Sequence, residues 1–367
     1  MLELIPINNY SYIFFNVNLL FILLTLVHTL RYTGFTYETQ IFNRFFAILL
    51  LIFLLVFMGL RPLSWQFGDM MNYARKFDYF VRGWELEINK DVVFYSIMKF
   101  FANIDSKMFF FFTIGFCYIS FTYFAMKNFF KEYYFFAFLI IISSFEFWSY
   151  GTNGIRNGLA TSIILLAFSF MERKLIMYFL FVLAFSIHSS VFIPIFAYFV
   201  TYFFKDSNIF YKAWFVSILI SVILGNQIGN FISATGLLSQ DIVAGYFQNT
   251  DAIAYGYTKT GFRWDFLIYS FIPVIISYYF IYKKNFTDPI YTRLTNIYLV
   301  SNSIWILVIE ATFSNRFAYL SWFMMGLIII YPLLKNVFFN NQFKIIGFTI
   351  LGYFSFTYLM NFILPNL

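Results

Sequence analysis

Gly151-Thr152-Asn153-Gly154-Ile155-Arg156-Asn157-Gly158-Leu159-Ala160 is a polar, glycine-rich break between two apolar runs, 133–149 and 155–171. An arginine held among runs of near bilayer-crossing length is expensive to keep there, so it marks function. About thirty residues later Ser186-Ile187-His188-Ser189-Ser190 closes the next apolar run. Outward from these two breaks the pattern continues to both ends, with further runs at 12–30, 42–60, 108–127, 175–190, 191–204, 213–231, 264–282, 294–312, 317–334 and 345–364. The fold class expected is an all-α polytopic membrane protein with about 12 transmembrane or membrane-embedded helices. Helices satisfy their own backbone groups in lipid, and the runs lack the alternation of barrel strands. The short pair 175–190 and 191–204 also suits one bent or re-entrant element. Residues 1–367 read as a single integral membrane domain with two long segments outside the spans, 61–107 and 225–263. The first of these carries an amphipathic run near 91–103.

Composition excludes other classes. Only 11% of the residues are charged and 61% are hydrophobic, whereas soluble domains carry about a quarter charged residues. The net charge of +7 comes from lysines and arginines dispersed along the chain, so they read as topology signals and anionic-lipid contacts, and no nucleic-acid partner is expected. The single Cys117 lies inside an apolar run, and the histidines are His28 and His188 alone. A disulfide framework, a thiolate site and a histidine-based metal centre are thereby excluded; carboxylates could still hold a hard cation together with substrate, but no resident metal and no cofactor is expected. The chain has no phosphate-cradling Gly-rich loop with Lys-Ser or Lys-Thr, no His-Glu-x-x-His and no nucleophile elbow. The start Met-Leu-Glu-Leu-Ile-Pro has no positive n-region, so no cleaved signal peptide is expected.

Short turns alternate between basic and nearly uncharged. Arg31, Arg44, Lys127, Lys131, Arg173, Lys174, Lys205, Lys212, Lys283, Lys284, Arg293, Lys335 and Lys344 fall on one face, which is expected to be cytoplasmic. The opposite face then receives Arg61, Asp69, Tyr73, Glu146, Arg156, His188, Arg263, Asp265, Glu310 and Arg316.

Arg156 stands in the first turn of a helix that Thr152 or Asn153 can cap. Helix-start N–H groups and a planar guanidinium together make a seat for phosphate oxygens. The bland alternative has Arg156 snorkelling to the interface while the glycines permit close helix packing. His188 can take a proton from a sugar hydroxyl or bond a phosphate; otherwise it holds a helix break together with a neighbouring carbonyl. Arg316 repeats the Arg156 pattern behind Ser314-Asn315, with Glu310 near enough in sequence to neutralise it. Arg61 and Asp69, in a stretch that ends at Tyr73, supply a second cation and a carboxylate, or a plain interfacial anchor. The candidate catalytic residues are His188, Arg156, Arg316 and Asp69. The candidate substrate-binding residues are Arg61, Tyr73, Asn157, Ser189, Tyr319, Glu310 and Arg263.

Arg61 with Gly68-Asp69 and Tyr73, Arg156-Asn157-Gly158-Leu159-Ala160, Arg173-Lys174 followed by Ile187-His188-Ser189-Ser190, and Asn315-Arg316-Phe317-Ala318-Tyr319 together resemble the EpsG family of Wzy-type polysaccharide polymerases. The resemblance covers most of the chain. It implies a glycosyltransferase with a membrane fold similar to the C-type enzymes, in the bacterial cytoplasmic membrane, with its site facing the periplasm or exterior. Its donor and acceptor would be undecaprenyl-diphosphate-linked oligosaccharides, the growing chain passing to a non-reducing-end hydroxyl of the next unit. A flippase and a chain-length regulator are the implied protein partners. The 83–91 stretch is more charged than the resemblance leads one to expect, which leaves acceptor specificity open. An O-antigen ligase-type transferase uses the same donor and similar residues. A lipid-linked oligosaccharide flippase would instead spread its charges along a two-sided path.

Overall fold

The computed structural model describes residues 5–32, 34–84, 88, 90–225, 227–228 and 261–363. Its helices are α1 (Tyr10–Arg31), α2 (Tyr37–Gly59), α3 (Met70–Val81), α4 (Val92–Asn103), α5 (Lys107–Phe130), α6 (Tyr134–Ile142), α7 (Phe145–Thr152), α8 (Ile155–Ser169), α9 (Lys174–Ile187), α10 (Phe192–Phe203), α11 (Ser207–Leu224), α12 (Trp264–Tyr278), α13 (Pro289–Leu307), α14 (Asn315–Trp322), α15 (Met325–Lys335) and α16 (Gln342–Tyr358). No strand occurs among the described residues. The chain packs as two compact units, residues 1–192 with 329–367, and residues 193–328.

Among the described residues, seven stretches are long and apolar enough to cross a membrane: Ile7–Arg31, Tyr37–Gly59, Lys107–Ile142, Ser207–Leu224, Trp264–Lys283, Asn315–Lys335 and Gln342–Phe362. The dozen runs seen in the sequence divide differently for physical reasons. The runs 108–127 and 133–149 share one stretch, interrupted where Lys131 takes φ 49°. Its second half, α6, has 9 residues, about 14 Å of helix. Helices α8, α9 and α10 have 15, 14 and 12 residues, short of the ~20 that cross ~30 Å of hydrocarbon. Helix α13, over the run 294–312, carries buried Asn296, Ser301 and Asn302 and is not among the seven.

In the first unit α6 is enclosed, with every one of its residues buried. A helix that is apolar all round belongs in such a place. Phe135 packs beside Phe42 at 5.8 Å, and Phe136 meets Phe343 edge-on at 6.0 Å. Around it α5 packs on α8, α8 on α9, and α1 on α16. Close approach is written into two glycines of the 151–158 break. A Cβ on Gly158 would lie 2.5 Å from the Tyr150 carbonyl oxygen, and one on Gly151 would lie 2.1 Å from Met58 Cε.

The 61–107 segment forms a helical hairpin of α3 and α4, and α4 realises the amphipathic run near 91–103. Met70, Tyr73, Ala74, Phe77 and Phe80 of α3 are buried at helical spacing. Phe77 of α3 and Phe94 of α4 both rest against Phe110 of α5, at 5.9 and 5.6 Å. Much of the 225–263 segment, residues 229–260, lies outside the described residues.

The second unit holds a buried polar network. Asn302 is fully buried; its Oδ1 accepts from Trp214 Nε1 at 2.8 Å, and its Nδ2 donates to Ser321 Oγ at 2.9 Å and Ser270 Oγ at 3.3 Å. Trp322 Nε1 also donates to Ser270 Oγ, at 2.7 Å. Such bonds tie α11, α12, α13 and α14 together where apolar surface alone gives helices little reason to associate.

Candidate active site

The site forms in the first unit, where the start of α4, the 151–158 break and the break at His188 come together. Asp91 occupies the N-cap position of α4, where an aspartate ordinarily accepts a first-turn N–H. It makes no such bond. Its backbone is left-handed, φ 58°, which is costly for a residue with a Cβ, and its side chain is fully buried. Oδ2 accepts from Arg156 Nη1 at 2.6 Å and from His188 Nδ1 at 3.0 Å, while Oδ1 accepts the Ser189 N–H at 3.2 Å.

His188 reaches this carboxylate because the chain is extended there (φ −155°, ψ 123°) between α9 and a short turn over Ser189–Val191. In a neutral ring, an Nδ1–H given to Asp91 leaves the lone pair on Nε2. Arg156 is fixed on its other edges by tyrosines: Nε donates to Tyr73 Oη at 3.2 Å and Nη1 to Tyr95 Oη at 3.3 Å. Tyr95 Oη also accepts from Lys76 Nζ at 2.9 Å. Asn157 is held by Ser190, whose Oγ donates to its Oδ1 at 2.6 Å. Burial pushes the Asp91 carboxyl up, but the His188 ring, Arg156 and the Ser189 N–H outweigh it and hold the group below the ordinary carboxylate range. Burial likewise raises the Tyr73 hydroxyl, with Arg156 opposing, so the phenol stays protonated at neutral pH.

Beside this cluster a cavity of about 360 Å³ is lined by Asp69, Asn72, Tyr73, Arg75, Lys76 and Tyr79 from the α3 side and by Arg156 from α8. Asp69 is placed by a backbone device. Gly68 has φ 60°, and a Cβ there would lie 2.3 Å from Asn153 Oδ1, the atom that accepts the Asp69 N–H at 2.8 Å. Gly68→Ala therefore strains the turn and collides with Asn153. We expect a loss of about 1–3 kcal/mol, read as a lowered melting midpoint in detergent. Adding Asn153→Ala should relieve the collision but not the backbone strain; full recovery in the double variant would refute the φ argument.

The structure redistributes several residues singled out in the sequence. Neither Thr152 nor Asn153 caps α8. The N-cap is Gly154, without a side-chain bond, because Thr152 is still helical in α7 and donates to Trp148 O at 2.8 Å, while Asn153 is turned to Asp69. Arg61 is 2% exposed and absent from the cavity wall. Its Nη1 donates to Met58 O at 2.5 Å and its Nη2 to Thr152 O at 3.5 Å, so it joins the carbonyl ends of α2 and α7, where a cation is favoured. In the second unit Arg316 is exposed in the first turn of α14, its guanidinium 4.9 Å from the Phe313 ring centroid. Tyr319 Oη accepts from Asn315 Nδ2 at 3.4 Å. Glu310 lies against Gly225, where a Cβ would stand 3.2 Å from Oε2. Arg263 is engaged twice by Asp265, at 2.9 and 2.7 Å, and stacks over Phe266 at 3.5 Å.

Asp91, Tyr95, Lys76 and Arg75 were not legible as site residues. For Asp91 a signal existed, a capping-type residue ahead of an amphipathic run, at the end of an unusually charged stretch. Tyr95, Lys76 and Arg75 carry none, since each reads as an ordinary residue of an amphipathic hairpin.

Fold and site define an all-helical polytopic membrane protein with an aspartate-anchored arginine and histidine next to a basic, tyrosine-lined cavity. The chain belongs to the EpsG family, whose family model matches residues 44–366, nearly the whole chain. EpsG is a family of Wzy-like polymerases, so membership connects this chain with polysaccharide polymerisation and with a bacterial membrane. Comparison with curated proteins and with solved structures gave no match.

Proposed function

We propose that the chain transfers a growing glycan from an undecaprenyl-diphosphate donor to the non-reducing-end hydroxyl of a second lipid-linked repeat unit, on the extracytoplasmic face. The observation that carries this reading is the Asp91 carboxylate bonded at once to His188 and Arg156. His188 Nε2 takes the proton of the attacking hydroxyl. The acceptor oxygen bonds to the sugar anomeric carbon, the bond from that carbon to the phosphate oxygen breaks, and its electron pair leaves on the diphosphate. Asp91 holds the ring in the basic tautomer and steadies the imidazolium as it forms, as a buried carboxylate does for other catalytic histidines. Arg156, preorganised by two tyrosines and Asp91, meets the developing negative charge. The donor bond already holds the free energy needed, so neither ATP nor a metal ion is called for.

Asp69 and Asn157 orient sugar hydroxyls, with Tyr73 and Ser189 supporting them. Arg61 braces the frame around this site. Arg316 is a further cation for a lipid diphosphate, and Tyr319, Glu310 and Arg263 contact glycan. A flippase would deliver the units and a chain-length regulator would act on the product.

The test is reconstitution. Purified protein in liposomes, given lipid-diphosphate-linked repeat units without nucleotide or metal, should yield polymer and one free lipid diphosphate per linkage. Transfer only to a non-glycan acceptor would point to a ligase, and movement of intact units across the bilayer without transfer would point to a flippase.

A further inference from the structure

The cavity beside Arg156 has a charge balance that the reaction as described does not use. Arg156 already has its counter-ion in Asp91. Lys76 and Arg75 form no ion pair among the described residues. Lys76 donates to Tyr95 Oη, and Arg75 Nη2 donates to Asn72 Oδ1 at 2.5 Å while its guanidinium stacks over Trp65 at 4.9 Å. Asn72 in turn donates to Asp69 Oδ1 at 3.1 Å. Two cations lacking a carboxylate partner among the described residues thus share the wall with Arg156, and Asp69 is the one carboxylate among the described lining residues. A volume of about 360 Å³ is at the small end for ligand sites. It suits a charged head group with an adjoining sugar better than an oligosaccharide.

Position adds a direction. Arg156 and His188 are bonded to the same Asp91 oxygen, yet Arg156 lines the cavity and His188 does not. An anion in the cavity therefore approaches the guanidinium from the side of α3, leaving Nε2 of His188 to a different molecule.

We propose that this cavity seats the diphosphate of the donor, with Arg75 and Lys76 as substrate-binding residues that carry the leaving group together with Arg156. The proposal rests on the transfer reaction above and assigns its two substrates to two sides of Asp91. Lys76 acts as a point charge on a phosphate oxygen, and Arg75 offers a planar fork. As the bond from the anomeric carbon to the phosphate oxygen breaks, its electron pair arrives on an oxygen facing these cations. Asp69 and Asn72, at the same wall, are left to hydrogen-bond the first sugar.

The experiment measures binding of geranyl diphosphate to the full-length protein in neutral detergent, by calorimetry, alongside polymer formation in liposomes. Arg75→Gln and Lys76→Gln should each weaken the probe about tenfold, as expected for loss of one charge-assisted contact, with binding of geraniol unaffected and the melting midpoint preserved. Their polymer yield should fall and partly recover at high substrate. Unchanged probe affinity in both variants would overturn the seat while leaving the transferase reading intact. So would a wild type that makes polymer but fails to bind the probe, or competition by phosphatidylglycerol as strong as by the probe, which would make the cavity a general anionic-lipid contact. A wild type that binds the probe but makes no polymer from lipid-linked units would count against the transferase reading instead, and with it the donor assignment.

Discussion

His188→Ala is expected to lower polymer formation by about 10²–10⁴-fold, the usual scale of acid-base assistance, in a protein that still inserts and folds. The imidazole is only partly buried. Its side chain stays 18% exposed, and its partner among the described groups is the Asp91 carboxylate. The extended backbone at 188 is set by the flanking helix end and turn, so alanine is accommodated there. Removing the ring takes away the acceptor for the hydroxyl proton and leaves the diphosphate contacts in place, so lipid-linked single units should accumulate on the extracytoplasmic leaflet. The decisive measurement is their sidedness, read with an impermeant sugar-modifying reagent. Accumulation on the cytoplasmic leaflet would identify a flippase defect and sink the polymerase reading. Undiminished polymer would return His188 to a structural role.

Asp91→Asn should reduce transfer by about 10²–10³-fold although the side chain keeps its size. The carboxamide offers an N–H to His188 Nδ1 and so favours the tautomer with a proton on Nε2, the wrong one for a base. It also withdraws the counter-charge from Arg156. The cost to stability is about 1–3 kcal/mol, as for an impaired buried hydrogen-bond site. The pH dependence separates a positioning role from a merely structural one. Because the folded Asp91 carboxyl is held below its usual range, its contribution to stability is fully present above the unfolded value of ~3.9 and is lost as pH falls through the lower folded value. The carboxylate's own share of the stability gap between wild type and Asp91→Asn should therefore be held above about pH 4 and shrink below it. Loss of transfer at neutral pH with no change in that gap supports positioning. A variant with normal turnover would show that His188 needs no carboxylate.

Hydropathy is a property of consecutive residues, so the class, the helical character and most helix positions followed from the runs and their charged flanks. The block from Arg156 to His188 was readable for the same reason, since a polar break inside apolar sequence is a local contrast with a known cost in lipid. Helix length was less readable. The run 133–149 looks continuous in composition, yet the chain breaks at Ser143 and Ser144 between α6 and α7, because the end of an enclosed helix is decided by what it packs against.

Local composition and contrast thus give a helical membrane protein of EpsG type with Arg156 and His188 as its costly polar residues. How those residues are joined depends on the fold. Asp91 lies 65 positions from Arg156 and 97 from His188, and it is an unremarked residue in a charged connecting stretch until the α3–α4 hairpin folds onto α5 and brings it to them. The same folding turned Arg61 inward as a brace and brought Lys76 and Arg75 to the cavity wall. Side-chain chemistry is local, but the pairing of charges depends on burial and on the path of the chain through space, and neither is written in the spacing of the residues concerned.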